Sequence, residues 1–172
     1  MSSWLKAMNP SSPITTEAEA ERAAKASAIS IFIGVVVGLI SLAWTIANPA
    51  AMNDALATAS QGDPVATAMA DASLQAGLWI AGGMVVIQLI LGVVQWRNPG
   101  KFIAVLFIVL IALGIVMSLA APLLSASMPN VPATPMWQIV LSVVVMVVQF
   151  ILHVTGLKGI KQLDRIQMEQ SR

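Results

Sequence analysis

The sequence predicts an all-α, four-helix transmembrane bundle with both termini on the cytoplasmic side and a short helical hairpin on the outer side, between the first two spans. Three observations predict it. Four apolar runs, at residues 26–47, 75–96, 102–123 and 136–157, each approach the ~20 residues needed to cross a bilayer. All nine Lys and Arg lie before the first run, between the second and third, or after the fourth, which by the positive-inside rule puts those segments in the cytoplasm. Finally, 58% of the residues are hydrophobic and only 10% charged, with a mean hydropathy of +0.84, outside the range of soluble domains. At 172 residues the chain has room for one membrane domain.

Residues 1–16 precede the first helix and mix Trp4, Leu5 and Met8 with Ser, Asn and Pro, which reads as a segment lying loosely on the inner leaflet. Thr16 and Glu19 have capping-box spacing, and Glu21 and Lys25 form an i,i+4 pair. The first helix therefore begins near Glu17 and enters the membrane without a break. Its acidic flank and long apolar core argue for a retained anchor rather than a cleaved signal peptide. Within it Ser30, Gly34 and Gly38 make a small-residue groove into which another helix backbone could settle. Packing inside the monomer and contact with a second chain are both open readings of that groove.

Asn48-Pro49 closes this helix and opens an outer loop, residues 48–74. A short helix is expected there, with Met52, Leu56 and Ala59 on one side, followed by a second that starts with Asp63 as cap and Pro64 at its first position. The second span places Gln88, Gly92 and Gln95 on one line. Gln88 lies near mid-membrane at nearly the depth of Gln149 in the fourth span. Asn98-Pro99-Gly100-Lys101 has the residues of a type II turn, which makes the second and third spans antiparallel neighbours. The third span offers Ala112, Gly114 and Ser118 as small packing positions, and residues 122–135, with four prolines and no charge, read as a stiff outer loop.

The fourth span carries the most pronounced pattern, with Gln138, Ser142, Gln149, His153 and Gly156 on one narrow stripe. Amide and imidazole groups cannot be left unpaired in hydrocarbon, so this stripe calls for a protein partner. Beyond it, residues 158–172 read as an amphipathic tail turning along the inner leaflet, with Lys158, Lys161 and Arg165 toward lipid headgroups.

What is missing bounds the function. There is no Cys, and no span contains Asp, Glu, Lys or Arg. Cys-ligated metal centres and thiolate catalysis are excluded, and the intramembrane charge on which ion-coupled carriers rely is absent. Small four-helix exporters depend on such a glutamate. The single His has no carboxylate near it in sequence, so acid–base catalysis lacks its parts, and neither a cofactor nor a metal is expected. The reading is of a non-catalytic membrane protein acting through helix–helix association, as an accessory or assembly subunit of a membrane complex or as a homo-oligomer, with lipid and other membrane subunits as partners and no nucleic acid. The alternative is a passive channel or carrier for a small uncharged solute, lined by Gln88, Gln149, Ser142 and His153. A bacterial inner membrane is the expected location.

Overall fold

The computed structural model describes residues 3–60, 63–126 and 136–171, and among them every element is an α-helix. These are α1 (Ser3–Ala7), α2 (Glu17–Ala47), α3 (Pro49–Ser60), α4 (Pro64–Arg97), α5 (Lys101–Ala126) and α6 (Met136–Gln170). Four of them, α2, α4, α5 and α6, are long and apolar enough to cross a membrane, the hallmark of an integral membrane protein. Their outward faces fit that role: Ile40 is 64% exposed and Val116 62%, which only a hydrocarbon surrounding would make favourable for whole helices.

The helix boundaries follow from local chemistry. Thr16 caps α2 with a complete capping box: its hydroxyl accepts from the Glu19 amide, and the Glu19 carboxylate accepts from the Thr16 amide. Asn48 ends α2, its backbone and side-chain N–H groups both reaching Trp44 O. Asp63 caps α4 by accepting from the amides of Val65 and Ala66, with Pro64 at the first helical position. The expected apolar side of α3 and most of the proline-rich segment (127–135) lie outside the described residues and side chains. Helix α5, expected to end at 123, continues through Pro122 to Ala126. Helix α6 runs as one helix from the apolar span through the whole basic tail.

Packing follows the order α4–α2–α6–α5. Helices α4 and α5, which their short turn led us to expect as packed neighbours, part after it: α4 packs along α2, and α5 along α6. Small residues explain the choice. Gly92 lies against Phe32 and Ile31, Gly38 against Val85, and Gly114 against Met146 Sδ. The turn also differs from expectation, since Gly100 does not take the positive φ of a type II turn. Its closure comes from Gln95, whose side chain accepts from Gly100 N at 3.0 Å and donates to Gly100 O at 3.2 Å.

The densest contact is between α2 and α6. A Cβ on Gly156 would meet Ser27 Cβ at 2.5 Å and Ser27 N at 2.8 Å, and one on Gly159 would meet the backbone of Ala23 and Ala24. Ala24, Ala104 and Ile160 complete a small apolar core beside this crossing. Apart from Ser60 in α3, every buried residue among those described lies in the half of the molecule nearer the ends of α4 and α6 that carry Arg97 and Lys158, here termed the basic end. Toward the opposite end none of the described residues of the four long helices is buried.

The crossing defines a mutational ranking. Gly159→Ala is expected to destabilise the fold by about 1–3 kcal/mol or more, because backbone rather than a yielding side chain blocks the added methyl. Gly77 has open space around it, so Gly77→Ala should be neutral or stabilising by up to about 1 kcal/mol. Denaturant unfolding of both variants in detergent micelles checks the order.

Candidate functional site

Where α2 faces α6, the helices exchange polar groups in pairs. Ser30 Oγ donates to Gln149 O at 3.0 Å, and Gln149 Nε2 donates back to Ser30 O at 3.1 Å. Both contacts are buried. They tie side chains to carbonyls that already serve their own helices, which is possible because a carbonyl oxygen has a second lone pair. One turn on, Ser27 Oγ and His153 Nδ1 are 2.8 Å apart, and the imidazole stacks on Phe107 of α5 with centroids 5.3 Å apart. His153 is fully buried, and its Nε2 has no hydrogen-bond partner among the described residues.

A serine hydroxyl bonded to an imidazole is also the geometry of a nucleophile and its base. Here the surroundings oppose that use. Ser27 and His153 are both 0% exposed, the Gly156 backbone is pressed against Ser27, and a mid-helix position leaves no spare backbone N–H to hold an oxyanion. The pair fastens three helices together. Among the described residues no group of three or more His, Asp or Glu converges in a way that could hold a metal ion.

The stripe read from the sequence therefore divides. Gln149, His153 and Gly156 face α2 inside the chain, while Gln138 and Ser142 are exposed on the far half of α6. Gln95 lies on the turn and serves it. Of the small positions, Gly34, Gly38, Gly92 and Gly114 all have close side-chain neighbours within the chain, and Ser118 is half-buried. Gln88 is different. Its Oε1 comes to Gly34, where Gln149 Nε2 also arrives, but Gln88 stays partly exposed and forms no hydrogen bond among the described residues.

The basic end carries an arrangement that sequence reasoning missed. Residues 3–16 are a strap fastened across the ends of α2, α4 and α6, rather than a loose segment. Trp4 stacks on Trp96 at 6.3 Å, with Lys25 Nζ 5.4 Å from the centre of the Trp96 ring. Lys158 Nζ donates to Pro10 O at 2.7 Å and Ser12 O at 2.9 Å. Thr155 Oγ1 donates to Ile151 O at 2.9 Å and lies 3.4 Å from Met8 O. Glu19, outside the apolar span, gathers the rest: one carboxylate oxygen takes the Lys6 ammonium at 2.8 Å, the other the Thr15 amide and hydroxyl. Lys158, read as a headgroup contact, is thus engaged with the strap, and Arg165 pairs with Glu169. Lys161 is exposed without a partner among the described residues. Lys101 and Asp164 link α5 to the tail of α6 at 2.6 Å.

No protein-family model, curated protein or solved structure matches the chain.

Two expectations follow. The hydrogen bond from Lys6, then those from Thr15, hold the Glu19 carboxyl down from its ordinary 4.5 to about 2. A depressed carboxylate stabilises above its unfolded value and loses that effect as pH falls, so the strap should hold fully above pH 4.5 and loosen as pH drops toward 2. Hydrogen exchange of the peptide covering residues 3–16 reads this, and Glu19→Gln should exchange faster at neutral pH and lose the acid dependence. Ser27→Ala leaves both imidazole nitrogens bare and should cost about 1–2 kcal/mol in micelle unfolding. Adding His153→Phe, of similar outline, should recover most of that loss.

Proposed function

We propose that this chain is a non-catalytic membrane protein that works by helix–helix association, as an accessory or assembly subunit or as a homo-oligomer, with both termini in the cytoplasm of a cell bounded by a bacterial inner membrane. The observation that carries the reading is Gln88, a partly exposed amide without a hydrogen-bond partner among the described residues, placed near the middle of an apolar helix. In hydrocarbon such a group favours a neighbouring helix that can satisfy it. The half of the bundle away from the basic end supports this, because none of the described residues that the four long helices place there is buried, and Ser142 stands exposed on α6. The small-residue groove of α2 is a weaker ground than the sequence implies, since Gly34 and Gly38 are covered from within.

Association is supported over a passive conduit by the fate of the conduit's own lining. Gln149 and His153 are buried and engaged with Ser30 and Ser27, and the backbones of α2 and α6 press together beside them. A solute moving from Gln88 toward the basic end would have to part that crossing.

Native mass spectrometry after extraction in mild detergent tests the proposal. The expected result is a complex heavier than one chain. Gln88→Leu should weaken it by roughly three- to twentyfold, the worth of one interhelical hydrogen bond in a bilayer. A lone monomer, unchanged by that substitution, would overturn the reading.

A further inference from the structure

We infer that the cavity beneath the N-terminal strap binds a phosphate group. The cavity, about 40 Å³, is lined by Lys6, Ala7, Asn9, Ser12, Pro13, Ile14, Glu19 and Arg22, so it has room for a few waters or one compact oxyanion. What distinguishes it is the accounting of donors and acceptors around it.

The carboxylate and amide oxygens of the lining, and several of the carbonyls around it, are already engaged. Glu19 Oε1 receives Lys6, and Oε2 receives Thr15 and Thr16. Asn9 Oδ1 receives the Ser11 amide. The carbonyls of Pro10 and Ser12 are turned to Lys158, and those of Lys6 and Asn9 to the amides of Asn9 and Ser12. The donors remain. Arg22 is half-buried with no acceptor among the described residues, and neither the Asn9 side-chain amide nor the Ser12 hydroxyl donates a hydrogen bond there. A cavity bordered by a guanidinium, an amide N–H and a hydroxyl, with its carboxylate and side-chain amide oxygens already engaged, is complementary to an anion. Lys6 and Arg22 against Glu19 leave the lining with one net positive charge.

The shared chemistry is a tetrahedral phosphate, for which a planar guanidinium offers paired donors. Its position favours the headgroup of an anionic phospholipid as the source. The cavity lies at the end of the apolar span of α2, under the same strap that carries Trp4 onto Trp96, and tryptophan gathers at that depth of a bilayer. The strap would then close over a lipid phosphate as one of its own fastenings.

The test uses the full chain in phosphate-free detergent buffer, titrated in native mass spectrometry with phosphatidylglycerol, with phosphatidylcholine, and with inorganic phosphate alone. One phosphatidylglycerol should be retained per chain in preference to phosphatidylcholine, and Arg22→Gln should retain it about tenfold less well. Arg22→Lys, which keeps the charge but not the paired donors, should fall between them. Arg97, an exposed arginine at the same basic end, serves as the comparison, and Arg97→Gln should leave retention unchanged. Binding of inorganic phosphate that displaces the lipid and is lost in Arg22→Gln would support the site and assign it to a soluble phosphate. Should Arg22→Gln fail to fold, the Asn9→Ala, Ser12→Ala double variant carries the same expectation of weakened retention. Equal retention by wild type and the Arg22 variants, or equal losses on altering Arg22 and Arg97, would overturn the inference, the second by reducing it to a general attraction of lipid to positive charge.

Discussion

The structure rests on how closely α2 and α6 approach. Gly156 and Gly159 remove the side chains that would hold the helices apart, and Ala23, Ala24 and Ser27 present small surfaces opposite them. Apolar burial gives helices little drive to associate inside lipid, so contact of this kind, dense and short-range, must supply it. Once the backbones are that near, Ser30 and Gln149 can each reach the other's carbonyl, and Ser27 can reach His153. The polar groups are therefore a result of the crossing as much as its cause. They also fix its register, because a slide by one turn would break all three contacts together.

The same crossing organises the basic end. Lys158 lies between Gly156 and Gly159 in the sequence, on the helix surface turned away from α2, and from there it holds the strap. With Lys25 and Phe32 of α2 both beside Trp96, the aromatic stack draws α4 into the same assembly. Among the four long helices, α4 follows α2 and α5 follows α6, and α4 also meets α3. The molecule is thus tight at one pole and open at the other.

Much of this was legible because it depends on neighbours in the chain. The capping box at Thr16, the Asp63-Pro64 start and the span lengths all rest on interactions within a turn or two of helix. The stripe on α6 was also visible, since helical periodicity places Gln149, His153 and Gly156 together whatever they face. What they face was not legible, because periodicity carries no information about the partner's identity. The strap was hidden for a related reason. Its fastenings to α6 join residues nearly 150 positions apart, and Lys158 donates to backbone carbonyls, which every residue possesses and no motif advertises. The turn after α4 misled in the opposite direction: Asn-Pro-Gly correctly marks a reversal, but a reversal does not oblige the two helices to stay together, and Gln95 rather than glycine closes it.

The pairing of α2 with α6 also bears on the order of events during synthesis. Ser30 and Gln149 are 119 residues apart, and these helices are the first and last of the four long ones to leave the ribosome. While α4 and α5 are still being inserted, α2 sits in lipid with its hydroxyls turned to nothing better than its own carbonyls and its glycine groove half filled by α4. Contacts so distant along the chain close late. The core of this protein is therefore the last part of it to form, and until α6 arrives only α2 and α4, among the four long helices, have each other to pack against.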